Sequence, residues 1–161
     1  MRLTLALCLI ALALGTAAAT FAGSAANDVA IIVNKANKVE TISAKDLKQI
    51  FTGEKARWPD GSKIQTLAPS ATMPEHKPAI RFLFGMSEPE FQKYCIHASF
   101  VGEAQRAPRD SGASSAVIGL VAVIPGAVGF VRAGAVTPTV KIVKIDGMAP
   151  GDAGYPLTGE Q

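Results

Sequence analysis

Two stop signals in the sequence constrain the fold more than any other feature. Residues 50–53 read Ile-Phe-Thr-Gly, and a Trp-Pro-Asp-Gly turn follows at residues 58–61. Residues 125–131 read Pro-Gly-Ala-Val-Gly-Phe-Val. Glycine just past an apolar periodic segment and a Pro-Gly pair are both typical of helix ends. The first signal predicts a helix that ends before a tight turn anchored by Trp58, and the second predicts a helix that ends before a buried strand.

Apolar runs of strand length alternate with helical patterns along the chain. Ser43 precedes Asp46, and Ser87 precedes Glu90, at the spacing of helix N-terminal caps. Strands and helices that alternate in this way predict an α/β fold with a mixed sheet. We expect strands at residues 28–33, 63–67, 128–132 and 139–145, the last at a sheet edge because lysines interrupt it, and helices at residues 44–51, 75–84, 88–99 and 114–123.

The first 26 residues have the composition of a secretory signal peptide. Arg2 precedes an apolar run over residues 3–14, and small residues follow. That run is shorter than the roughly 20 residues that a membrane-spanning helix needs. Cys8 lies too near the start to be a lipidation site. We expect an exported protein, periplasmic or secreted and without a membrane anchor, in which residues 27–161 form one domain.

Composition and spacing exclude several functional classes. The chain has 16 basic and 13 acidic residues, and they are interspersed, so no nucleic-acid partner is expected. Cys95 is the single cysteine after the signal, which excludes an internal disulfide. His76 and His97 have no partner at a metal-ligand spacing, and both are expected at the surface or partly buried. Cys95 and His97 would face different sides of a helix. We therefore expect neither a metal nor another cofactor, and no enzyme activity.

Ser70, Ala71 and Thr72 form the first candidate for ligand binding. They follow a predicted strand and lead towards a predicted helix. Unpaired N–H groups and the helix dipole make such a loop suited to phosphate or another oxyanion. The alternative is that the hydroxyls only cap the helix.

Arg109, Ser111, Gly112 and Ser114 form the second candidate. They combine a guanidinium group with hydroxyls ahead of the helix predicted at residues 114–123. The same physical argument makes this loop an oxyanion site, with Arg109 and Ser111 as its charged and hydroxyl groups. An ordinary N-cap is again the alternative.

The two stop signals, in this order, resemble the phosphate-binding proteins of ABC importers. In that family a helix ends in Ile-Phe-x-Gly, a Trp-containing turn follows, and a Pro-Gly-Ala-Ile-Gly-Tyr-Val segment comes later. Ile145-Asp146-Gly147 and Tyr155-Pro156-Leu157 also look like the end of that family. The resemblance extends over residues 29–157 and is to short members with a single lobe.

The resemblance implies one lobe of a type 2 periplasmic-binding-protein fold, a mixed sheet flanked by helices. It further implies a phosphate or other oxyanion ligand and an ABC permease as partner. The family's Arg-Ser-Asp-Gly-Ser-Gly-Thr loop should follow the strand at residues 63–67, where this chain has residues 68–74 without arginine or glycine. The alternative function is a non-catalytic interaction module that binds another envelope protein.

Overall fold

A six-stranded mixed sheet forms the centre of the protein. The computed structural model describes residues 22–103 and 106–159. The sheet order is β2-β6-β1-β5-β3-β4. Strand β1 is antiparallel to both neighbours, whereas β3 is parallel to β5 and β4, and β2 is parallel to β6. The strands are β1 Val29–Asn34, β2 Thr41–Ile42, β3 Gln65–Ala68, β4 Arg109–Asp110, β5 Ala127–Arg132 and β6 Val140–Ile145.

Helices cover both faces of this sheet, which confirms the predicted α/β fold with a mixed sheet. The helices predicted at residues 44–51 and 114–123 have the observed bounds, and the other two predicted helices are present with one end shifted by one residue. The α-helices are α1 Ala22–Asn27, α2 Ala44–Phe51, α3 His76–Phe84, α4 Glu88–Phe100 and α5 Ser114–Val123, and a 3₁₀ helix spans Ala133–Ala135.

Local capping explains why three of the helices start or stop where they do. The Ser43 side chain accepts a hydrogen bond from the Asp46 N–H at the start of α2. Ser87 and Glu90 form a reciprocal capping box at the start of α4. Helix α3 ends at Gly85, whose φ of 67° is the left-handed conformation that glycine adopts without a Cβ clash.

Strand β1 separates two apolar cores. Val29, Ile31 and Val33 pack into a cluster with α2, α3 and α4, whereas Ala30 and Ile32 pack into a cluster with α5. All five side chains are at most 1% exposed. Because successive strand residues point to opposite faces, a strand covered on both sides must be a continuous apolar run.

The two stop signals of the sequence contact each other in the fold. Trp58 is 5% exposed, and its indole Nε1–H donates a hydrogen bond to the Gly126 carbonyl oxygen at 3.0 Å. The Gln65 N–H donates to the same oxygen at 3.1 Å. This arrangement confirms Trp58 as an anchor of the fold, because it joins the turn after α2 to the start of β5.

Some predictions were wrong in detail. Strand β6 does not lie at the sheet edge, because the short strand β2 pairs with its end at Lys144 and Ile145. The second candidate loop begins with strand β4, at Arg109 and Asp110, which the sequence analysis did not predict. Both unpredicted strands have two residues, and long-range pairing rather than a local pattern forms them.

The predicted signal peptide falls mostly outside the described residues. Residues 1–21 are not described, and residues 22–26 belong to α1. Within the described ranges, the helices are too short or too polar to cross a membrane.

Gly129 provides a test of how closely α5 packs on the sheet. A Cβ atom at Gly129 would lie 2.7 Å from Val117 Cγ1 and 3.2 Å from the Leu67 carbonyl oxygen, whereas a Cβ atom at Gly119 would meet nothing within 4 Å. We expect Gly129→Ala to lower the free energy of unfolding by about 1–3 kcal/mol, because the added methyl group would overpack the core between α5 and the sheet. Gly119→Ala, on the exposed side of α5, should raise it by up to about 1 kcal/mol because alanine favours a helix.

Urea denaturation of the two variants and the parent measures this difference. Equal stabilities for the two alanine variants would show that α5 does not press on β5 at this point.

Candidate functional site

The two candidate loops lie side by side at one edge of the sheet. Leu67 pairs with Arg109 and Ala68 pairs with Asp110 in the parallel strands β3 and β4. Beyond the pairing, the Ser70 N–H donates to the Gly112 carbonyl oxygen at 2.7 Å. The carboxyl ends of parallel strands meet at the same edge. The structure therefore brings together the residues predicted for ligand binding: Ser70, Ala71, Thr72, Arg109, Ser111, Gly112 and Ser114.

Each loop leads into a helix that begins without a side-chain cap. Helix α3 has Glu75 at its N-cap and α5 has Ala113, and neither side chain makes a cap hydrogen bond. The Ser111 hydroxyl instead donates to the Arg109 carbonyl oxygen at 3.2 Å. The first N–H groups of a helix have no partners within the helix and carry a partial positive charge. At the start of α3, however, the His76 N–H already donates to the Met73 carbonyl oxygen at 3.0 Å and Pro78 has no N–H, so the start of α5 is the more open of the two.

Several polar groups of this edge already have partners. The Gly112 N–H donates to Asp110 Oδ1 at 2.9 Å, and the Ser111 N–H donates to the Ala68 carbonyl oxygen at 2.9 Å. Ala71, Thr72, Arg109 and Gly112 are exposed, and Ser70, Ser111 and Ser114 are half-buried. A ligand at this edge would therefore have to bind through the exposed groups.

Glu75 is a buried carboxylate at this edge that no sequence pattern selected. Its side chain is 2% exposed. Oε1 accepts a hydrogen bond from the Ser114 hydroxyl at the start of α5. Oε2 has no hydrogen-bond partner, and Arg132 Nη2 lies 3.9 Å from it. In the sequence, an acid just before an apolar helix is the ordinary complement to the helix dipole, which gave no signal of burial.

A cavity of about 320 Å³ borders the Glu75 carboxylate. It is lined in part by Met73, Glu75, Ser114 and Arg132. One wall thus carries a negative group, while the Arg132 guanidinium and the start of α5 are positive. The cavity has mixed polarity and is suited to a small polar ligand rather than to an apolar one.

A larger cavity of about 620 Å³ lies against α4, and its lining includes Ala71 and Arg109 of the two candidate loops. At its base, His76 Nδ1 lies 3.0 Å from Glu88 Oε2, and the other Glu88 oxygen has no hydrogen-bond partner. His76 is 5% exposed and packs edge-on against Phe91, so its predicted placement at the surface or partly buried was wrong. The His76 ring contacts Glu88 and Phe91 of α4 and fills part of the core. Sequence spacing predicted neither contact.

Exposed apolar side chains lie near the end of helix α4 and directly after it, and one of them lines the larger cavity. Phe100 is 85% exposed, Ile96 is 59% exposed and Val101 is 51% exposed. Ile96 also lines the cavity. Single exposed apolar residues are normal, but a cluster beside an apolar cavity indicates a contact surface.

Metal binding and thiol chemistry find no support in the described ranges. Within residues 22–103 and 106–159, no group of three or more His, Cys, Asp and Glu side chains is placed to hold a metal ion. Cys95 lines the larger cavity, and burial, with a smaller effect of the Glu88 charge, raises the pKa of its thiol. A raised pKa disfavours the nucleophilic thiolate.

Three solved structures share the fold, although no family model matches the chain. A protein from Clostridium perfringens, described as a phosphate ABC transporter substrate-binding protein with bound phosphate, superposes with a TM-score of 0.61 at 20% identity. An ABC-type phosphate transport receptor from Vibrio cholerae gives 0.57 at 22% identity, and PstS from Borrelia burgdorferi gives 0.55 at 15%. The matches cover 76%, 76% and 83% of this chain.

The chain spans about half the length of these proteins, with 46%, 48% and 55% of their chains matched. In addition, 39 residues are 49% identical to phosphate-binding protein PstS 2 from two strains of Streptococcus agalactiae, over 24% of this chain and 13% of that protein. The fold and this short match agree. The resemblance to phosphate-binding proteins of ABC importers, which the motifs of the sequence suggested, is confirmed at the level of fold.

The raised pKa of Cys95 predicts slow alkylation of the folded protein. Because a higher pKa leaves less thiolate at a given pH, the rate of reaction with iodoacetamide should rise at a higher pH in the folded protein than in the urea-denatured chain. Glu88→Gln should move the folded profile part of the way back, since burial remains. Mass spectrometry of the modified protein measures both profiles, and coincident folded and denatured profiles would contradict the burial of the thiol.

Proposed function

We propose that this protein is an exported binding protein that takes phosphate or a related oxyanion at the loop edge, defined by residues 70–72 and 109–114. The observation that carries the proposal is the start of α5, which has no side-chain cap and follows a loop that adjoins the Ser70–Thr72 loop at the carboxyl ends of β3 and β4. Such helix starts are the groups that bind oxyanions in many folds. The alternative that the loop hydroxyls cap these helices has no support, because no side chain caps either one.

The names of the similar proteins favour the same ligand class. One of the three was solved with bound phosphate, and the other two are named as a phosphate transport receptor and as PstS. By analogy, an ABC permease is the proposed partner, and binding without chemistry is the proposed activity. The raised pKa of Cys95, the one thiol described, is the opposite of what a nucleophile needs.

Energetics indicate that the loop edge binds weakly when it is open to water. Each helix-dipole interaction stabilises an exposed anion by typically 0.3–1 kcal/mol, whereas micromolar affinity requires about 8 kcal/mol. The similar proteins are longer than this chain, which matches 46% and 48% of their lengths. A second surface, supplied by another copy or by a partner, would exclude water from the ligand and strengthen its charge interactions.

Export and domain organisation belong to the same proposal. Residues 1–26 would be removed as a signal peptide, and residues 27–161 would act as one domain in the periplasm or outside the cell. The basis is the apolar run over residues 3–14 with the small residues after it.

Thermal denaturation in the presence of anions tests the ligand. Phosphate should raise the melting temperature in a saturable way relative to chloride at equal ionic strength, because a ligand of the folded state stabilises by mass action. Sulfate in the same series reports selectivity. Ser70→Ala and Arg109→Ala should each weaken or abolish the effect, since they remove a hydroxyl and the guanidinium from the loop edge.

Arg57→Ala is the matched control. It removes the same charge from a side chain that bonds the Gly61 carbonyl oxygen, outside the loop edge. If this variant also loses the stabilisation by phosphate, the stabilisation depends on net charge and not on the loop edge. An unchanged melting temperature with all the anions would overturn the proposal.

The exposed apolar residues of α4 favour a second candidate function, an interaction module that binds another envelope protein. Ile96 lines the larger cavity, where an apolar side chain of a partner could enter, and the exposed Phe100 lies one turn further along α4. Under this alternative, Phe100→Ser should abolish co-purification with an envelope protein and leave the melting temperature unchanged. Val123→Ser is the control, because Val123 is 72% exposed on α5 instead. Partner capture that survives Phe100→Ser would contradict it.

A further inference from the structure

An uncharged stripe runs along the outer side of α4. Five residues recur at intervals of three and four positions and therefore share one face of the helix: Gln92, Cys95, Ile96, Ser99 and Phe100. All of them are exposed except Cys95, which is half-buried. The outer face of a surface helix is normally charged or polar, so a stripe without charge that ends in an aromatic residue indicates a contact surface. We call these five residues the α4 stripe.

The α4 stripe carries a protruding side chain and a cavity one helical turn apart. Phe100 is 85% exposed, and its ring does not line the larger cavity. The cavity of about 620 Å³ is lined by the rest of the stripe: Gln92, Cys95, Ile96 and Ser99. An aromatic ring buries a large apolar area when it leaves water, and a cavity of this size has room for one. The chain thus exposes a ring and an unfilled cavity that fits it.

A second copy of the chain would satisfy both features at once. In a dimer with two-fold symmetry, residue i of one copy contacts residue j of the other, and residue j contacts residue i. If two α4 helices pack antiparallel with the axis beside Ile96, residues equally far before and after Ile96 face each other. Phe100 then faces the partner's Gln92, at the cavity. The same contact forms twice, whereas an unrelated partner would have to supply a separate ring and a separate cavity.

The charges along this part of α4 are compatible with such a pairing. Within residues 92–100, Lys93 is the one side chain with a full charge at neutral pH, and it would face the partner's Ser99. His97 would face the partner's Cys95. Like charges therefore do not meet between the paired segments. That is a requirement of an interface made from two identical surfaces, because facing like charges would oppose association.

We propose that two copies of this protein associate through the α4 stripe and that Phe100 of each copy enters the cavity of the other. This inference goes beyond the proposed function and does not depend on a ligand. Ala71 and Asp110 of the loop edge also line the cavity. The partner's Phe100 would therefore cover the side of the loop edge that borders this cavity and exclude water from it.

Sedimentation equilibrium of the processed full chain, in chloride and without phosphate, tests the association. The parent should form a dimer at concentrations in the micromolar range. Phe100→Glu and Ile96→Glu should each raise the dimer Kd by at least about tenfold, because each places a carboxylate in the apolar centre of the interface. Both residues are exposed in the single chain, so neither variant loses a core contact. Val123→Glu is the matched control, since Val123 is 72% exposed on α5, and its Kd should equal that of the parent.

Cross-linking with a short bis-maleimide locates the interface independently. Cys95 and the partner's Cys95 would lie on either side of the axis, each one residue from Ile96. The reagent should therefore link two parent chains at Cys95, after a long incubation because the pKa of this thiol is raised. The link should be lost in Phe100→Glu and kept in Val123→Glu at the same protein concentration.

The outcomes also separate this inference from the functions proposed above. A parent that is monomeric in the micromolar range would overturn the dimer, and so would a dimer that both α4 variants leave intact, because its interface would lie elsewhere. A monomer that captures an envelope protein through Phe100 would overturn the second copy in favour of the interaction module. A monomer that phosphate stabilises would overturn the dimer and leave phosphate binding in place.

Discussion

The coverage of β1 on both faces is the constraint on which the rest of the structure depends. Its residues alternate between the core under α2, α3 and α4 and the core under α5. It also pairs with β5 on one side and β6 on the other. Because polar side chains on either face would be buried without partners, the strand is apolar throughout until Asn34. The polar side chain at the end of the strand has a hydrogen-bond partner, because the Asn34 side-chain amide donates to the Val121 carbonyl oxygen of α5 at 2.9 Å.

The candidate site follows from this arrangement through β5. Strand β5 pairs antiparallel with β1 and parallel with β3. Because β3 and β4 are also parallel to each other, their carboxyl ends lie at the same edge of the sheet. Gly129 lets α5 approach the sheet closely at Val117, and the loop before α5 adjoins the loop after β3 through the hydrogen bond from the Ser70 N–H to the Gly112 carbonyl oxygen. The loop edge is thus a product of strand direction and of helix packing. Glu75 lies where these two constraints meet.

Local signals accounted for the parts of the fold that depend on near neighbours in sequence. The Ser43 and Ser87 caps and the Gly85 stop set the bounds of α2, α3 and α4, because each involves residues at most a few positions apart. Strands β2 and β4 were not predictable, since two residues carry no periodicity and owe their conformation to pairing with β6 and β3. The burial of His76 likewise depends on Phe91 and Glu88 of the next helix.

The sequence by itself determined the alternation of strands and helices, the mixed α/β class and the two loops that precede α3 and α5. Hydrophobic periodicity and capping are local, so the order of residues is enough to specify them. Only the tertiary structure decided that the two loops adjoin, that Ser114 bonds to Glu75 and that the carboxylate is buried at the start of α5. Those contacts join residues that are distant in the chain, and their geometry exists only once β3, β4 and β5 have paired.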